Sequence, residues 1–261
     1  MADLEGSPTR VFRFFAWVLA LSVPFYVWGV VWPVRGLPFG LPATVVMIVV
    51  PATVATVSVY RDQGAAAAAA LWKRVGDLRR MRTGIWLAIS LVCMPAATLL
   101  VYAVMRGLGR PLPTAIAVPM AQAPLMFAAY FCGAIFEEIG WTGYATEPLQ
   151  RRFGVVGAGL IIGGVWALWH VPPWSLGQGH APLWVIGQFV ATVAMRMIMG
   201  WIYAFGGRSL VLAIAFHAMI NTSYSLFPNH GSHYDPVIAA AVLTAIAAMV
   251  ALASRQRLAK A

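Results

Sequence analysis

The chain has 261 residues, of which 61% are hydrophobic and only 10% are charged, and its mean hydropathy is +0.78. Soluble domains carry about 25% charged residues, so this composition excludes an ordinary water-soluble protein and predicts one that lies in lipid. The net charge of +10 does not indicate nucleic acid, because the chain has no soluble domain to present a basic face, whereas basic loops at a membrane surface explain the excess.

Eight apolar runs are long enough to cross a membrane, which takes roughly 20 residues each. They lie at about 11–31, 41–60, 84–105, 117–145, 155–174, 182–205, 209–227 and 236–253. The basic, amphipathic segment between the second and third runs predicts a helix on the membrane surface over about residues 65–82. We therefore expect an all-α, polytopic membrane helix bundle, with residues 1–261 forming a single integral membrane domain.

The basic residues predict the orientation of this bundle, because cytoplasmic loops carry an excess of lysine and arginine. If both termini are cytoplasmic, the outer loops hold only Arg35, Arg106 and Arg110. The cytoplasmic segments then hold Arg10, Arg13, Arg61, Lys73, Arg74, Arg79, Arg80, Arg82, Arg151, Arg152, Arg208, Arg255, Arg257 and Lys260. This segregation predicts a multi-pass protein of the cell membrane with both termini in the cytoplasm.

A small set of ionisable side chains falls inside the apolar runs, where each costs several kcal/mol and marks function. The set is Glu137, Glu138, His170, Arg196 and His217, with Asn221 as a polar companion. His217 and Asn221 are four residues apart and share one face of the seventh run. Glu137 and Glu138 are adjacent and point about 100° apart around a helix. We expect one carboxylate to face a cavity and the other to pair sideways.

Counting along the helices brings these groups to one depth. The fourth and fifth runs form a hairpin that turns near Phe153 and Gly154, and Glu137 and His170 each lie 16 residues from that turn. At 1.5 Å per residue both are ~24 Å from the turn, and similar counts place Arg196 and His217 level with them, ~14–15 Å into the membrane from the cytoplasmic side.

Each group has an ordinary interpretation when taken alone. A single intramembrane histidine commonly serves as a structural hydrogen bonder, and a glutamate pair can be a proton relay, but their convergence at one depth favours a functional site. The remaining histidines, His180, His230 and His233, are interpreted as loop residues. The two cysteines, Cys93 and Cys132, lie in apolar runs, which favours neither a disulfide framework nor a cysteine zinc site.

Three short segments carry a family resemblance. FEEIGWTGY at residues 136–144, WALWH at 166–170 and HAMIN at 217–221 resemble the EExxxR, FxxxH and HxxxN motifs of the CPBP family. This family, also called Abi, contains CAAX prenyl proteases and bacteriocin-processing enzymes. The resemblance covers a motif-bearing core at about residues 80–227.

The chain departs from the family pattern at two positions. Trp166 stands where the family usually has phenylalanine, which is an aromatic exchange of little consequence. Thr142 stands four residues after Glu138, where the pattern has arginine, and a threonine cannot supply the charge of an i,i+4 ion pair. We hypothesise that Arg196, from the sixth run, pairs with Glu138 instead.

The resemblance implies a hydrolase, an intramembrane endopeptidase that cleaves a membrane-associated or lipidated protein or peptide. It implies that Glu137, helped by His170, activates water, while His217 and Asn221 hold the oxyanion. Glu138 completes the catalytic set, and Arg196, Thr142 and Trp166 support it. Glu137, His170 and His217 are also a residue set that zinc accepts. The HExxH pattern is absent from the sequence, and we favour a glutamate-dependent enzyme without a cofactor over a metalloprotease.

Two other functions remain open at this point. A family member that has lost catalysis would act as a membrane scaffold or immunity protein. The threonine at position 142, where the family pattern has arginine, is consistent with this alternative. A proton-coupled transporter would use Glu137, Glu138 and Arg196 as a relay, but we see no inverted symmetry between the two halves. In each case the expected partners are membrane lipids and, for the protease, a polypeptide substrate, with no nucleic acid.

Overall fold

The computed structural model describes residues 8–32, 43–115, 118 and 120–258. Several positions of the predicted loops and apolar runs lie outside the described residues. They are Arg35, Lys260, and residues 41, 42, 117 and 119 of the second and fourth predicted runs. The side chains of Arg255 and Arg257 are also outside the description.

All regular structure in the described residues is helical. The helices are α1 (Pro8–Val31), α2 (Val49–Gln63), α3 (Ala65–Lys73), α4 (Gly84–Gly107), α5 (Ala123–Glu138), α6 (Thr146–Pro172), α7 (Pro182–Phe205), α8 (Leu210–Leu226) and α9 (Pro236–Leu258).

Seven helical stretches are long and apolar enough to cross a membrane. They are Pro8–Val31, Val45–Gln63, Gly84–Gly107, Met120–Tyr144, Thr146–Gly177, Pro182–Phe205 and Pro236–Ser254. α8 is also apolar, but its 17 residues make it only ~25 Å long. These eight elements coincide with the eight predicted runs, so the prediction of an all-α, polytopic membrane bundle is confirmed.

The segment predicted as a surface helix is helical at its beginning. α3 ends at Lys73 and is followed by two short 3-10 turns, Arg74–Gly76 and Leu78–Arg80. Ala68 and Leu71 of α3 are buried against the rest of the protein. The position of this segment at a membrane surface stays a prediction.

Two π-helical turns follow the helices that carry the first two motifs. One, Ile139–Tyr144, comes directly after Glu138, and the other, Pro173–Gly177, comes shortly after His170. The second begins at Pro173, which lacks a backbone N–H and cannot continue the regular α-helical bonding. Turns of this kind are frequent at functional sites.

The helix α8 lies at the centre of the bundle. Every residue from 210 to 218 is buried, and α8 packs against α4, α5 and α7. A helix that is apolar on all sides is expected in such a position. His217 is therefore held within the protein interior.

The hairpin between the fourth and fifth runs turns where it was expected. Gly154 has φ +70° and ψ 175° and interrupts the helical path of α6, a conformation that glycine adopts without steric cost. Beyond this break, α6 runs back alongside α7, its closest neighbour, and carries Trp166 and His170 towards Glu137.

Candidate active site

The two adjacent glutamates end α5, and both are buried, with 6% of Glu137 and none of Glu138 exposed. Glu137 Oε2 accepts a hydrogen bond of 2.9 Å from the indole N–H of Trp166. Glu138 instead accepts bonds from Arg196 and from the hydroxyl of Thr142. The two carboxylates thus have different partners, in keeping with their angular separation on the helix.

The ion pair hypothesised from the sequence is present. Arg196 Nη1 donates to Glu138 Oε2 at 2.8 Å, and Nη2 donates to Oε1 at 2.9 Å. The guanidinium carbon of Arg196 also lies 4.3 Å from the centroid of the Trp166 ring, a distance at which the cation is attracted to the ring face. A paired, two-point contact of this kind is required because neither charge has access to water.

His217 connects the two glutamates. Its Nδ1 lies 2.8 Å from Glu138 Oε1, and its Nε2 lies 4.0 Å from Glu137 Oε1. A carboxylate is an acceptor only, so Nδ1 carries the hydrogen of this bond. Glu138 therefore fixes the orientation of the imidazole ring and directs Nε2 towards Glu137.

His170 is held by its own helix and by aromatic neighbours. Its Nδ1 donates to the carbonyl oxygen of Trp166 at 2.8 Å, which leaves Nε2 without a proton when the ring is neutral. The ring packs edge-on against Trp166 and Trp169 and stacks on Trp174 at a centroid distance of 5.3 Å.

These groups meet at one cavity of about 640 Å³. Its lining includes Glu137, Trp166, His170, His217 and Asn221. Glu138 and Arg196 do not line the cavity and instead support it from behind. The arrangement combines a carboxylate, two imidazoles and a carboxamide around a space that is large enough for water and part of a polypeptide.

None of the three loop histidines is among the residues that line this cavity. Ser232 Oγ lies 2.8 Å from His233 Nδ1, and both residues are exposed, as is His230. His180 stacks on Trp184 at a centroid distance of 3.6 Å, and partial burial lowers the pKa of its imidazole.

Sequence reasoning missed two features of this region. The hydrogen bond from Trp166 to Glu137 is one that the phenylalanine usual in the family cannot make, so the exchange that seemed of little consequence alters the environment of the carboxylate. Arg74 was counted only as a basic loop residue, yet it is 8% exposed and donates to the carbonyl oxygen of Gly143 at 2.7 Å. No local pattern around Arg74 signals this contact, because its partner is far away in sequence.

Arg74 belongs to a polar cluster behind the glutamates. It donates to Glu147 Oε1 at 3.2 Å and to the hydroxyl of Tyr203, which itself donates to Glu147 Oε1 at 2.6 Å. The cluster joins the segment after α3 to the π-helical turn that follows Glu138 and to α7. It thereby fixes the turn that carries Thr142.

A metal ion in a protein is bound by several ligand side chains that lie close together. Within the described part of the chain, no group of three or more histidine, cysteine, aspartate or glutamate side chains is arranged to hold a metal ion. Glu137 Oε2, one oxygen that a cation would use, is already bonded to the Trp166 indole.

The fold and these side chains define a polytopic helix bundle with a buried glutamate–histidine site, and comparisons with known proteins agree with this class. The family described as type II CAAX prenyl endopeptidase Rce1-like matches residues 119–223, the segment that contains all three motifs. The resemblance to the CPBP family of intramembrane proteases is thereby confirmed.

One curated relative is CAAX prenyl protease 2 of Methanococcus maripaludis. It is 32% identical to this chain over 110 residues, which are 40% of this chain and 40% of the relative. The match thus covers about two fifths of the relative's length.

Proposed function

We propose that this chain is an intramembrane endopeptidase of the CAAX prenyl protease type, in which Glu137 activates water for attack on a peptide carbonyl. The observation that carries the proposal is the approach of His217 Nε2 to Glu137 Oε1, 4.0 Å apart, at the cavity that His170 and Asn221 also line. General-base catalysis requires such a base beside a space that admits both water and substrate.

The proposed reaction moves protons between named groups. Glu137 takes a proton from water as the water oxygen bonds to the carbonyl carbon. The oxyanion that forms accepts hydrogen bonds from the Asn221 amide and from a protonated His217 Nε2. As the C–N bond breaks, the protonated Glu137, with His170 beside it, returns the proton to the leaving nitrogen. The products are a new carboxyl group and a free amine.

The charges of the buried groups are consistent with this sequence. In the proposed scheme, two carboxylate charges, on Glu137 and Glu138, are balanced by the guanidinium of Arg196 and by the imidazolium of His217. A neutral set is favoured where water cannot stabilise isolated ions. Arg196 supplies the positive charge that Thr142 lacks, which supports an active enzyme rather than a family member without catalysis.

The substrate that we propose is a membrane-associated or lipidated protein or peptide. The name of the matched relative, a CAAX prenyl protease, makes a polypeptide with a prenylated cysteine the first substrate to test. The cavity supports a substrate with large apolar groups, since tryptophans and other apolar side chains form much of its lining.

The experiment for this function compares peptides released from membranes that contain the wild-type protein or the Glu137→Ala variant. A set of cleaved membrane peptides that appears with the wild type and is absent with the variant is expected. Equal peptide sets would contradict the protease assignment. Substrate-independent ion or proton flux in proteoliposomes, lost in the same variant, would indicate a transporter instead.

We further propose that catalysis does not require a metal. The support is the direct approach of Glu137 to His217 and the Trp166 hydrogen bond that one Glu137 oxygen already accepts. Cleavage by the purified protein is expected to persist after treatment with a strong chelator. Loss of activity that zinc restores would overturn this part of the proposal.

A further inference from the structure

The cavity beside Glu137 extends towards only one end of the helix bundle. On α5, the lining residues run from Ala129 to Glu137 and none follows Glu137. On α6 and the turn after it, they run in the opposite direction, from Trp166 to Gln178. Because α5 and α6 are antiparallel, both sets lead from the glutamates towards the same end.

The next two helices repeat this asymmetry. The lining residues of α7 run from Trp184, near its N-terminus, to Met195 near its middle, and those of α8 run from His217, near its middle, to Ser225 near its C-terminus. Tyr234, in the connection between α8 and α9, also lines the cavity, as do residues at the start of the second span and on α4. We call this end of the bundle, with the connections α6–α7 and α8–α9, the mouth end.

Exposure increases towards the mouth end. Glu137, His217 and Thr192 are buried, Trp184 is half-buried, and Gln178 is exposed. The described side chains therefore form a continuous path from the glutamates to the surface at this end.

The opposite end of the bundle is packed shut. Residues 139–143, which follow the glutamates, are all buried, as are residues 210–218 of α8. The cluster of Arg74, Glu147 and Tyr203 lies beyond them. No lining residue of the cavity belongs to this closed end.

The two ends differ strongly in charge. Among the described residues, Arg106 and Arg110 are the basic side chains of lysine or arginine type at the mouth end, and Arg110 is paired with Asp235 at 2.7 Å. The closed end carries Arg10, Arg13, Arg61, Lys73, Arg74, Arg79, Arg80, Arg82, Arg151, Arg152 and Arg208. Because cytoplasmic loops carry the excess of basic residues, this distribution predicts that the closed end is cytoplasmic.

From these observations we infer that the catalytic cavity is entered from the extracytoplasmic side of the membrane. This inference rests on the proposed function. It follows that the substrate is a polypeptide that is exported or displayed on the outer face of the membrane, and not one that remains in the cytoplasm. The cytoplasmic half of the bundle then closes the cavity on that side and holds Glu138, Arg196 and His217 in place.

The test is the accessibility of single cysteines to a charged thiosulfonate that does not cross membranes. The full-length chain first receives Cys93→Ala and Cys132→Ala, and three variants are built on this background. Gln178→Cys lies at the mouth, Thr192→Cys lies inside the cavity and replaces a side chain of similar size, and Arg79→Cys lies on the exposed surface of the closed end. Right-side-out and inside-out membrane vesicles are labelled in parallel.

We expect Gln178→Cys and Thr192→Cys to be labelled in right-side-out vesicles and to lose this labelling when the vesicles are inverted. Arg79→Cys is expected to show the reverse. Labelling of Thr192→Cys from the inside-out face alone, or from neither face, would overturn the inference. Complete labelling of each variant after denaturation confirms that the thiol is present.

Cysteine labelling does not depend on peptide cleavage, so the access route and the protease assignment can fail independently. If the labelling is as expected but Glu137→Ala releases the same peptides as the wild type, the access route stands and the protease assignment fails. If peptide release depends on Glu137 while Thr192→Cys is labelled only from the cytoplasmic face, the enzyme stands and the extracytoplasmic route fails.

Discussion

At the scale of single residues, two neighbouring glutamates share a helix end and one imidazole, that of His217, but differ in their other partners. Glu137 meets Trp166 and His217 at the cavity, whereas Glu138 binds Arg196, Thr142 and the other nitrogen of His217. A single imidazole between two carboxylates links their positions. We therefore propose that Glu137 takes part in the reaction and that Glu138 positions His217.

Replacing Arg196 with alanine tests the buried pair. Glu138 would keep its charge in a place without water, so the free energy of unfolding is expected to fall by about 3–5 kcal/mol. Arg110→Ala is the matched control, since Arg110 also binds one carboxylate through two N–H groups but is half exposed. Its loss is expected to cost about 1 kcal/mol or less.

Chemical denaturation of both variants in detergent measures the difference. Equal stabilities for Arg196→Ala and Arg110→Ala would show that the buried pair contributes no more than a surface pair. If Arg196→Ala also kept full activity while Glu138→Gln lost it, the pairing would have no role in the site.

Trp166→Phe restores the residue usual in the family and removes one hydrogen bond to Glu137. A hydrogen bond to a charged group contributes about 1.5–3 kcal/mol, so kcat/KM is expected to fall by about tenfold or more. Trp169→Phe is the control, because its indole N–H binds the hydroxyl of Ser22 and not a cavity residue. Equal rate losses in the two variants would argue against a specific role for the Trp166 bond.

At the scale of helices, the close approach of α6 and α7 determines where Arg196 lies. A Cβ atom added at Gly163 would be 3.0 Å from Val193 Cα and 3.2 Å from Arg196 Cβ, while one added at the adjacent Gly164 would meet nothing within 4 Å. Small residues at such contacts allow membrane helices to pack backbone to backbone.

This pair of glycines gives a matched test of the helix contact. Gly163→Ala is expected to destabilise the protein by about 1–3 kcal/mol through overpacking, and to reduce activity by displacing Arg196 from Glu138. Gly164→Ala is expected to be neutral or slightly stabilising, because alanine favours a helix more than glycine does. Thermal unfolding and cleavage rates check both, and a larger loss in Gly164→Ala would contradict the packing described here.

The helices themselves were predictable because apolar run length is a strong signal in membrane proteins. Run lengths located the seven helices that are long enough to span a membrane and the shorter apolar helix α8, and residue counts from the Gly154 turn placed Glu137 and His170 at one level. The π-helical turns after Glu138 and His170 were not foreseen, since they depend on local backbone bonding that hydropathy does not report. The helix predicted over about 65–82 extends in the structure only to Lys73 before the 3-10 turns begin.

The side-chain partners were predictable only where chemistry left few choices. Arg196 was proposed as the counter-ion of Glu138 because it lies deep within an apolar run, at the depth of Glu138, and no other counter-ion was evident. The contacts of Arg74 with Gly143 and Tyr203 could not be anticipated, because they join segments that are 69 and 129 residues apart. Such contacts arise from tertiary packing and produce no periodic pattern in the amino-acid sequence.

At the scale of the whole molecule, the bundle combines a closed basic end with an open end that has few basic side chains. The closed end contains the salt bridge between Glu138 and Arg196, and the open end contains the cavity by which we propose that a substrate enters. This division explains how charged groups remain stable in an apolar protein, since Glu138 and Arg196 are enclosed while Glu137 faces the cavity. It also separates the catalytic role that we propose for Glu137 from the structural role that we propose for its neighbour.

The cleavage rate of Glu137→Gln relative to the wild type tests the central claim most directly, because glutamine keeps the size of the side chain and can still accept the Trp166 hydrogen bond. With equal amounts of folded protein in proteoliposomes and the same peptide substrate, we predict a fall of roughly 10²–10⁴-fold, as expected for loss of a general base. A variant with wild-type rate would show that Glu137 does not activate the water.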